Sequence, residues 1–178
     1  SILAAITITG LVFTGCSNDD DAPAPVNEEE VITTLTVTLA PITGSTVTLT
    51  SRDLDGDGPN PPVFSVSDLA ANTTYNGTVM VLNETETPAE NITTEVEEED
   101  LEHQFFYTTD GTVNITTTNF NQDSAGNILG TTFDLTTGAA STGSYTVTLR
   151  HEPTKPNTGL ADAGGETDIS STFPVQIQ

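Results

Sequence analysis

The sequence predicts an all-β fold, an antiparallel β-sandwich of about 8–9 strands. The main observation is an alternation of apolar and polar residues with a period of two, as in Leu35, Val37 and Leu39, which are separated by threonines. Such a pattern makes strands with one buried and one wet face, which belong to antiparallel sheets. The second observation is regular turn chemistry between these stretches, for example Asp110-Gly111.

The strands follow one another from the first alternating segment to the end of the chain. We expect them near residues 33–40, 45–52, 62–67, 74–83, 104–109, 112–119, 131–137, 143–152 and 169–177. One short motif narrows the type of sandwich. Leu69, Thr73 and Tyr75 have the spacing of a tyrosine corner, in which the phenol bonds back to the backbone and fixes a turn. This motif resembles the corner of immunoglobulin-like and fibronectin type III domains.

An acidic connection interrupts the strand pattern before residue 103. Ile92 and Val96 are four residues apart, which predicts a short acidic helix near 92–102. Glu99 and His103 are also four apart, so their side chains could converge on one ion if the helix continued that far. Otherwise the acidic run is a solvated surface.

The two histidines are the strongest candidates for a functional site. His103 and His151 both continue inward-facing rows of strand residues. Carboxylates lie beside them in the sequence, namely Glu102 and Glu152. If the two strand ends meet, His103, His151, Glu99, Glu102 and Glu152 could bind zinc or another divalent transition metal. The alternative is two histidines that only form local hydrogen bonds at strand ends.

A second candidate for cation binding lies between two predicted strands. Asp53, Asp55 and Asp57 alternate as in the first half of an EF-hand loop, with Gly56 between the last two. The match ends there, because the twelfth position is Phe64 where the motif has a bidentate glutamate. The loop could therefore either bind calcium or be an acidic turn that only adds solubility.

Charge excludes one class of partner. The chain of 178 residues has 3 Lys or Arg against 26 Asp or Glu, a net charge of −23. A protein that binds nucleic acid needs clustered cations, so we expect no nucleic-acid partner. No nucleophile paired with a general base is recognisable, and we do not expect an enzyme.

The N-terminal segment has the pattern of a lipoprotein signal. Residues 1–15 are uncharged and mostly apolar, and we interpret them as a truncated signal peptide. Phe13-Thr14-Gly15-Cys16 resembles a bacterial lipobox, which predicts that Cys16 is lipidated. An ordinary signal with a chance cysteine, or a transmembrane anchor, is the alternative. Residues 16–30 are predicted to be an acidic disordered tether, and residues 31–178 a single β-sandwich domain.

Several segments together resemble a family of Bacteroidota surface lipoproteins. They are the lipobox with the acidic residues after it, and the segments 53–60, 102–107 and 149–153. Members of this family often carry the label "type 1 periplasmic binding fold superfamily protein", and the family is associated with TonB-dependent receptors and metal uptake. The labelled fold is doubly wound α/β and much longer, whereas this sequence predicts an all-β protein. The resemblance therefore serves for location and partner only.

Two functions follow as expectations. The first is a lipid-anchored outer-membrane surface protein that binds a divalent metal or metal complex beside a TonB-dependent receptor. The alternative is a calcium-stabilised structural or adhesive module with no role in transport. The resemblance implies the outer face of the outer membrane, and the periplasmic face is the alternative location.

Overall fold

A computed structural model describes residues 30–56 and 58–178, which form ten strands and two short helices. The strands are β1 (Thr34–Pro41), β2 (Val47–Arg52), β3 (Val63–Val66), β4 (Thr74–Asn83), β5 (Glu90–Asn91), β6 (His103–Thr109), β7 (Ile115–Thr118), β8 (Thr132–Thr137), β9 (Ser141–His151) and β10 (Glu166–Ile177). The helices are α1 (Ile92–Glu98) and α2 (Leu160–Ala163). Each predicted strand has a counterpart in the structure. The two-residue strand β5 was not predicted from the sequence.

The strands form two antiparallel sheets that enclose one core. The larger sheet has the order β3-β2-β1-β4-β8-β7, with β5 beside β4, and the smaller has the order β10-β9-β6. Inward-facing rows from both sheets join a single buried cluster, for example Leu35 of β1, Phe105 of β6 and Phe173 of β10. The predicted β-sandwich is confirmed.

Threonine is abundant because it covers the outer faces of these sheets. Thr74 and Thr136 face each other across β4 and β8 with their hydroxyls 3.0 Å apart. Thr146 and Thr172 do the same across β9 and β10, at 2.9 Å. β-Branched residues suit strands, and cross-strand hydroxyl pairs add to sheet stability.

The turn before β4 has the geometry that the tyrosine-corner motif predicts. The hydroxyl of Tyr75 accepts a hydrogen bond from the backbone N–H of Ala70 at 2.8 Å. The ring of Tyr75 is buried in the core. The same turn joins the two sheets, because Leu69 donates its N–H to the carbonyl of Gln176 at 2.9 Å.

Helix α1 is shorter than the sequence predicts. The side chain of Asn91 caps its start by accepting the N–H of Thr93, and Ile92 and Val96 bury its apolar side. The helix ends at Glu98, and the chain turns through Glu99 before β6 begins at His103. The predicted short acidic helix is therefore present, but it ends four residues before residue 102.

In the described part of the chain, neither helix has the length and apolar character that crossing a bilayer requires.

Candidate metal centre

The centre of the site is a pair of buried histidines at one end of the smaller sheet. His103 is the first residue of β6 and His151 the last of β9, and the antiparallel register makes them direct cross-strand partners. Their ring centroids are 4.6 Å apart. His103 is 0 % exposed and His151 5 %. The inward parity of both rows brings the rings together at the edge of the core.

The hydrogen bonds of His103 fix which ring nitrogen carries the proton. Nδ1 lies 3.2 Å from the backbone carbonyl oxygen of Glu99, which can only accept, so Nδ1 is the donor. Nε2 lies 3.0 Å from Oε1 of Glu30. In a neutral imidazole that nitrogen has a lone pair, and it faces a carboxylate oxygen that also has only lone pairs. A proton or a metal ion must neutralise this contact.

Glu30 comes from the segment that precedes β1. Its side chain is only 5 % exposed, and Oε2 lies 3.6 Å from Nδ1 of His151. This oxygen is buried and has no hydrogen-bond partner among the described residues. A buried carboxylate oxygen of this kind is costly unless a cation is close to it.

Asp168 completes the group from β10. The register between β10 and β9 shifts between Thr167 and Ile169, so Asp168 occupies a β-bulge. Bulges re-aim side chains relative to the regular alternation. The side chain of Asp168 is 4 % exposed, and Oδ1 lies 3.9 Å from Nδ1 of His151.

These four side chains fit a small divalent ion. One potential ligand atom from each of Glu30, His103, His151 and Asp168 lies within 4.8 Å of the other three. A tetrahedral zinc ion with bonds of about 2.0–2.1 Å holds its ligand atoms about 3.3 Å apart. Three contacts in the group have lengths near that value. Nε2 of His103 lies 3.0 Å from Oε1 of Glu30, and Nδ1 of His151 lies 3.6 Å from Oε2 of Glu30 and 3.9 Å from Oδ1 of Asp168. Two neutral imidazoles and two carboxylates carry two negative charges, which a divalent ion neutralises.

The site has room on one side. A cavity of about 60 Å³ borders Glu30, His151 and Asp168, and the exposed residues Glu166 and Thr167 line its outer part. That volume accommodates water molecules. A metal ion bound by the four side chains would therefore lie within reach of water and could exchange with solvent.

A second carboxylate group adjoins the first. Oxygens of Glu30, Glu95 and Glu99 lie within 4.8 Å of one another. Partial burial raises the pKa of Glu95, and repulsion from the carboxylates of Glu30, Glu99 and Glu90 raises it further. The region around Glu30 therefore carries excess negative charge.

The structure brings together only some of the residues that the sequence suggested. His103 and His151 meet, and Glu99 contributes its carbonyl to His103. Glu102 and Glu152 have exposed side chains and do not belong to either ligand group of the described residues. Each is adjacent in sequence to an inward-facing histidine but lies just outside the strand, Glu102 in the turn before β6 and Glu152 after β9 with a φ of +48°. Their backbones bond to each other, with the N–H of Glu152 donating to the carbonyl of Glu102 at 2.6 Å.

Two residues of the candidate site, Glu30 and Asp168, were not among the sequence candidates. Glu30 is the last residue of the predicted tether, and nothing in its acidic surroundings distinguishes it. Asp168 belongs to an acidic loop in the sequence, and only the bulge turns it inward. A search for carboxylates near strand ends would have returned both of them, together with many exposed ones.

In the EF-hand-like loop, the carboxylates of Asp53 and Asp55 accept hydrogen bonds from within the loop itself. Oδ2 of Asp55 accepts hydrogen bonds from the side chain of Asn60 at 2.7 Å and from its backbone N–H at 3.3 Å. Asp53 accepts the N–H of Asp55 at 3.3 Å. Neither aspartate belongs to a group of three ligands within the described residues. Asp57 lies outside the described residues, as does Cys16, the predicted lipidation site.

Comparisons with models of protein families, with curated proteins and with solved structures find no significant match to this chain.

Proposed function

We propose that this protein binds a divalent transition metal ion, zinc foremost, through His103, His151, Glu30 and Asp168. The contact between Nε2 of His103 and Oε1 of Glu30, 3.0 Å long, carries the proposal. Because Nδ1 of His103 is committed to a carbonyl oxygen, Nε2 is the nitrogen that is free to coordinate. Metal-binding histidines are usually oriented by a hydrogen bond of this kind.

The donor set also indicates which ions the site prefers. Two imidazole nitrogens favour zinc and neighbouring transition metals over calcium and magnesium, which prefer all-oxygen sites. Two carboxylates supply the charge that a divalent ion needs. The cavity beside Glu30, His151 and Asp168 gives water access to the ligands, which supports a metal that is bound and released.

The cellular setting belongs to the same proposal. A lipid-anchored metal-binding protein at the outer membrane, beside a TonB-dependent receptor, combines this site with the sequence resemblance. The support for that setting is the lipobox at Cys16 and the acidic residues that follow it. In this role the metal is cargo or a recognised ligand, and the protein carries out no reaction on it.

Calorimetry with zinc chloride tests the proposal on the 178-residue chain carrying Cys16→Ser, so that the thiol does not bind metal. The titration is run at pH 8, above the usual titration range of histidine. We expect one tight site. His103→Ala combined with His151→Ala should weaken binding by more than about 100-fold, because half of the ligands are lost.

The matched control is Glu102→Gln combined with Glu152→Gln, which removes the two neighbouring carboxylates that point outward. We expect zinc affinity within about twofold of the parent, apart from a small long-range charge effect. Circular dichroism verifies that each variant is folded. Zinc binding that survives the double histidine substitution would overturn the proposal, as would the absence of zinc binding in the parent chain.

A further inference from the structure

We infer that the bound metal fastens the segment before β1 to the β-sandwich, with Glu30 as the ligand that couples the two. The inference rests on the proposed function and adds a metal-dependent attachment of the N-terminal segment. We call Glu30, Val31 and Ile32 the clasp segment. Glu30 and His103 are 73 residues apart in the sequence, so their contact closes a long-range connection.

The backbone of the clasp segment is weakly held. Counting bonds among described residues, backbone hydrogen bonding to the sandwich begins at Thr33, which donates its N–H to the carbonyl of Leu82 at 2.9 Å. The side chain of Val31 is 56 % exposed, and only Ile32 packs against the core. The position of Glu30 therefore depends mainly on its side-chain contacts with the two histidines.

The charges around Glu30 oppose its burial. Its carboxylate shares one ligand group with Asp168 and another with Glu95 and Glu99. Removing a carboxylate from water beside other carboxylates is unfavourable unless a cation compensates. A divalent ion between Glu30 and the histidines provides that compensation, so metal binding and docking of Glu30 favour each other.

This coupling is reciprocal by thermodynamic necessity. If docking of Glu30 strengthens metal binding, metal binding must stabilise docking by the same factor. Release of the metal frees the chain as far as Thr33. The three freed residues lengthen the connection to anything attached upstream by roughly 10 Å, at about 3.3 Å per extended residue. Metal occupancy thereby sets the reach of the N-terminal segment.

Limited proteolysis with an endoproteinase that cleaves after glutamate tests the inference directly. The 178-residue Cys16→Ser chain is digested at pH 8 with saturating zinc or with EDTA, and fragments are counted by mass spectrometry. We expect zinc to slow cleavage of the Glu30–Val31 bond by at least about tenfold, because a protease acts on the undocked segment. The Glu86–Thr87 bond lies in an exposed loop that contributes no residue to either ligand group of the described residues, and it reports any effect of zinc on the protease.

Two variants complete the test. Glu30→Gln should abolish the fragment that starts at Val31, which identifies the product, and should weaken zinc binding at least about tenfold. Asp168→Asn removes a ligand that belongs to the sandwich itself. It should also weaken zinc binding, but at saturating zinc it should retain protection of the Glu30–Val31 bond.

The outcomes separate this inference from the proposed function. If calorimetry shows histidine-dependent zinc binding but cleavage at Glu30–Val31 is unchanged, the coupling is wrong and the metal site remains. If zinc affinity in Glu30→Gln equals that of the parent, Glu30 is not a ligand and the coupling is also wrong. If the parent chain does not bind zinc, the proposed function itself fails.

Discussion

Two buried polar clusters meet at His103, and they differ in how their negative charge is neutralised. On one side, the ammonium of Lys155 donates to the carbonyl oxygens of His103 and Asp100, at 2.6 and 2.7 Å, and to Oδ2 of Asp123, at 3.0 Å. On the other side, the ring of the same histidine faces Glu30. One cluster has a lysine at its centre, whereas the other has two imidazoles.

The difference separates a structural ion pair from a candidate binding site. All three donors of Lys155 have acceptors, and the side chains of Lys155 and Asp123 are 6 % and 0 % exposed. That cluster is complete without a ligand. Around Glu30 and Asp168 the histidines supply positive charge only when protonated, so a proton or a metal ion must neutralise this cluster.

Breaking the lysine cluster should have the largest effect on stability. Lys155→Met leaves the carboxylate of Asp123 buried without its cation, and we expect the free energy of unfolding to fall by about 3–5 kcal/mol. Urea denaturation with EDTA present measures it. Arg52→Met is the control, because Arg52 forms an exposed ion pair with Glu84 and its loss should change little. Equal losses in both variants would contradict this view of the buried pair.

Zinc binding to the histidine cluster should have the next largest effect on stability. Zinc at 100 times its dissociation constant should stabilise the protein by about 2.7 kcal/mol, which raises the melting temperature by about 5–10 °C. Differential scanning fluorimetry with zinc and with EDTA measures this shift. The shift should vanish when both histidines become alanine and persist in Lys155→Met. Loss of the shift in Lys155→Met, with the fold intact, would show that the two clusters do not act separately.

An uncharged buried contact should matter less than either cluster. Tyr75→Phe removes the acceptor of the Ala70 N–H, and we expect a loss of about 1–2 kcal/mol in the free energy of unfolding. Because the turn is distant from the histidines in the sequence and shares no contact with them in the described part of the chain, the zinc-induced shift in melting temperature should be unchanged. A loss of stability larger than that of Lys155→Met would show that the corner matters more than the buried ion pair.

The pH dependence of the lysine cluster should be the smallest effect. Burial alone would raise the pKa of Asp123, but Lys155 and the N–H groups of Asn127 and Ala125 outweigh it and lower the pKa. A lowered pKa contributes stability that is present above the unfolded value of about 3.9 and is lost as the pH falls through the folded value. The difference in unfolding free energy between the parent and Lys155→Met should therefore narrow below about pH 4. If the difference in unfolding free energy between the parent and Lys155→Met stayed constant from pH 7 to pH 3, this pH dependence would be contradicted.

The sequence was sufficient for the fold and for half of the site. Alternation places the inward rows of β6 and β9, so it also places His103 and His151 on the inner face. The motif around Tyr75 predicts a turn that the structure contains. These features depend on local spacing, which a sequence displays directly.

The rest of the site depends on features that spacing does not display. Asp168 faces inward because of a register shift that arises from the pairing of β10 with β9. Glu30 reaches the histidines across 73 residues, and nothing in a run of three glutamates marks the last one. Glu102 is next to His103 in the sequence but lies in the turn before β6, where its side chain is exposed, so adjacency in sequence did not make it a ligand.

The most direct test is a crystal structure of the protein grown with zinc, with data collected at the zinc absorption edge. We predict one strong anomalous peak from a single zinc ion. The ion should be bonded, at about 2.0–2.2 Å, to Nε2 of His103, a ring nitrogen of His151 and carboxylate oxygens of Glu30 and Asp168. Zinc found only on exposed carboxylates, with Glu30 still in direct contact with Nε2 of His103, would contradict the proposed metal centre.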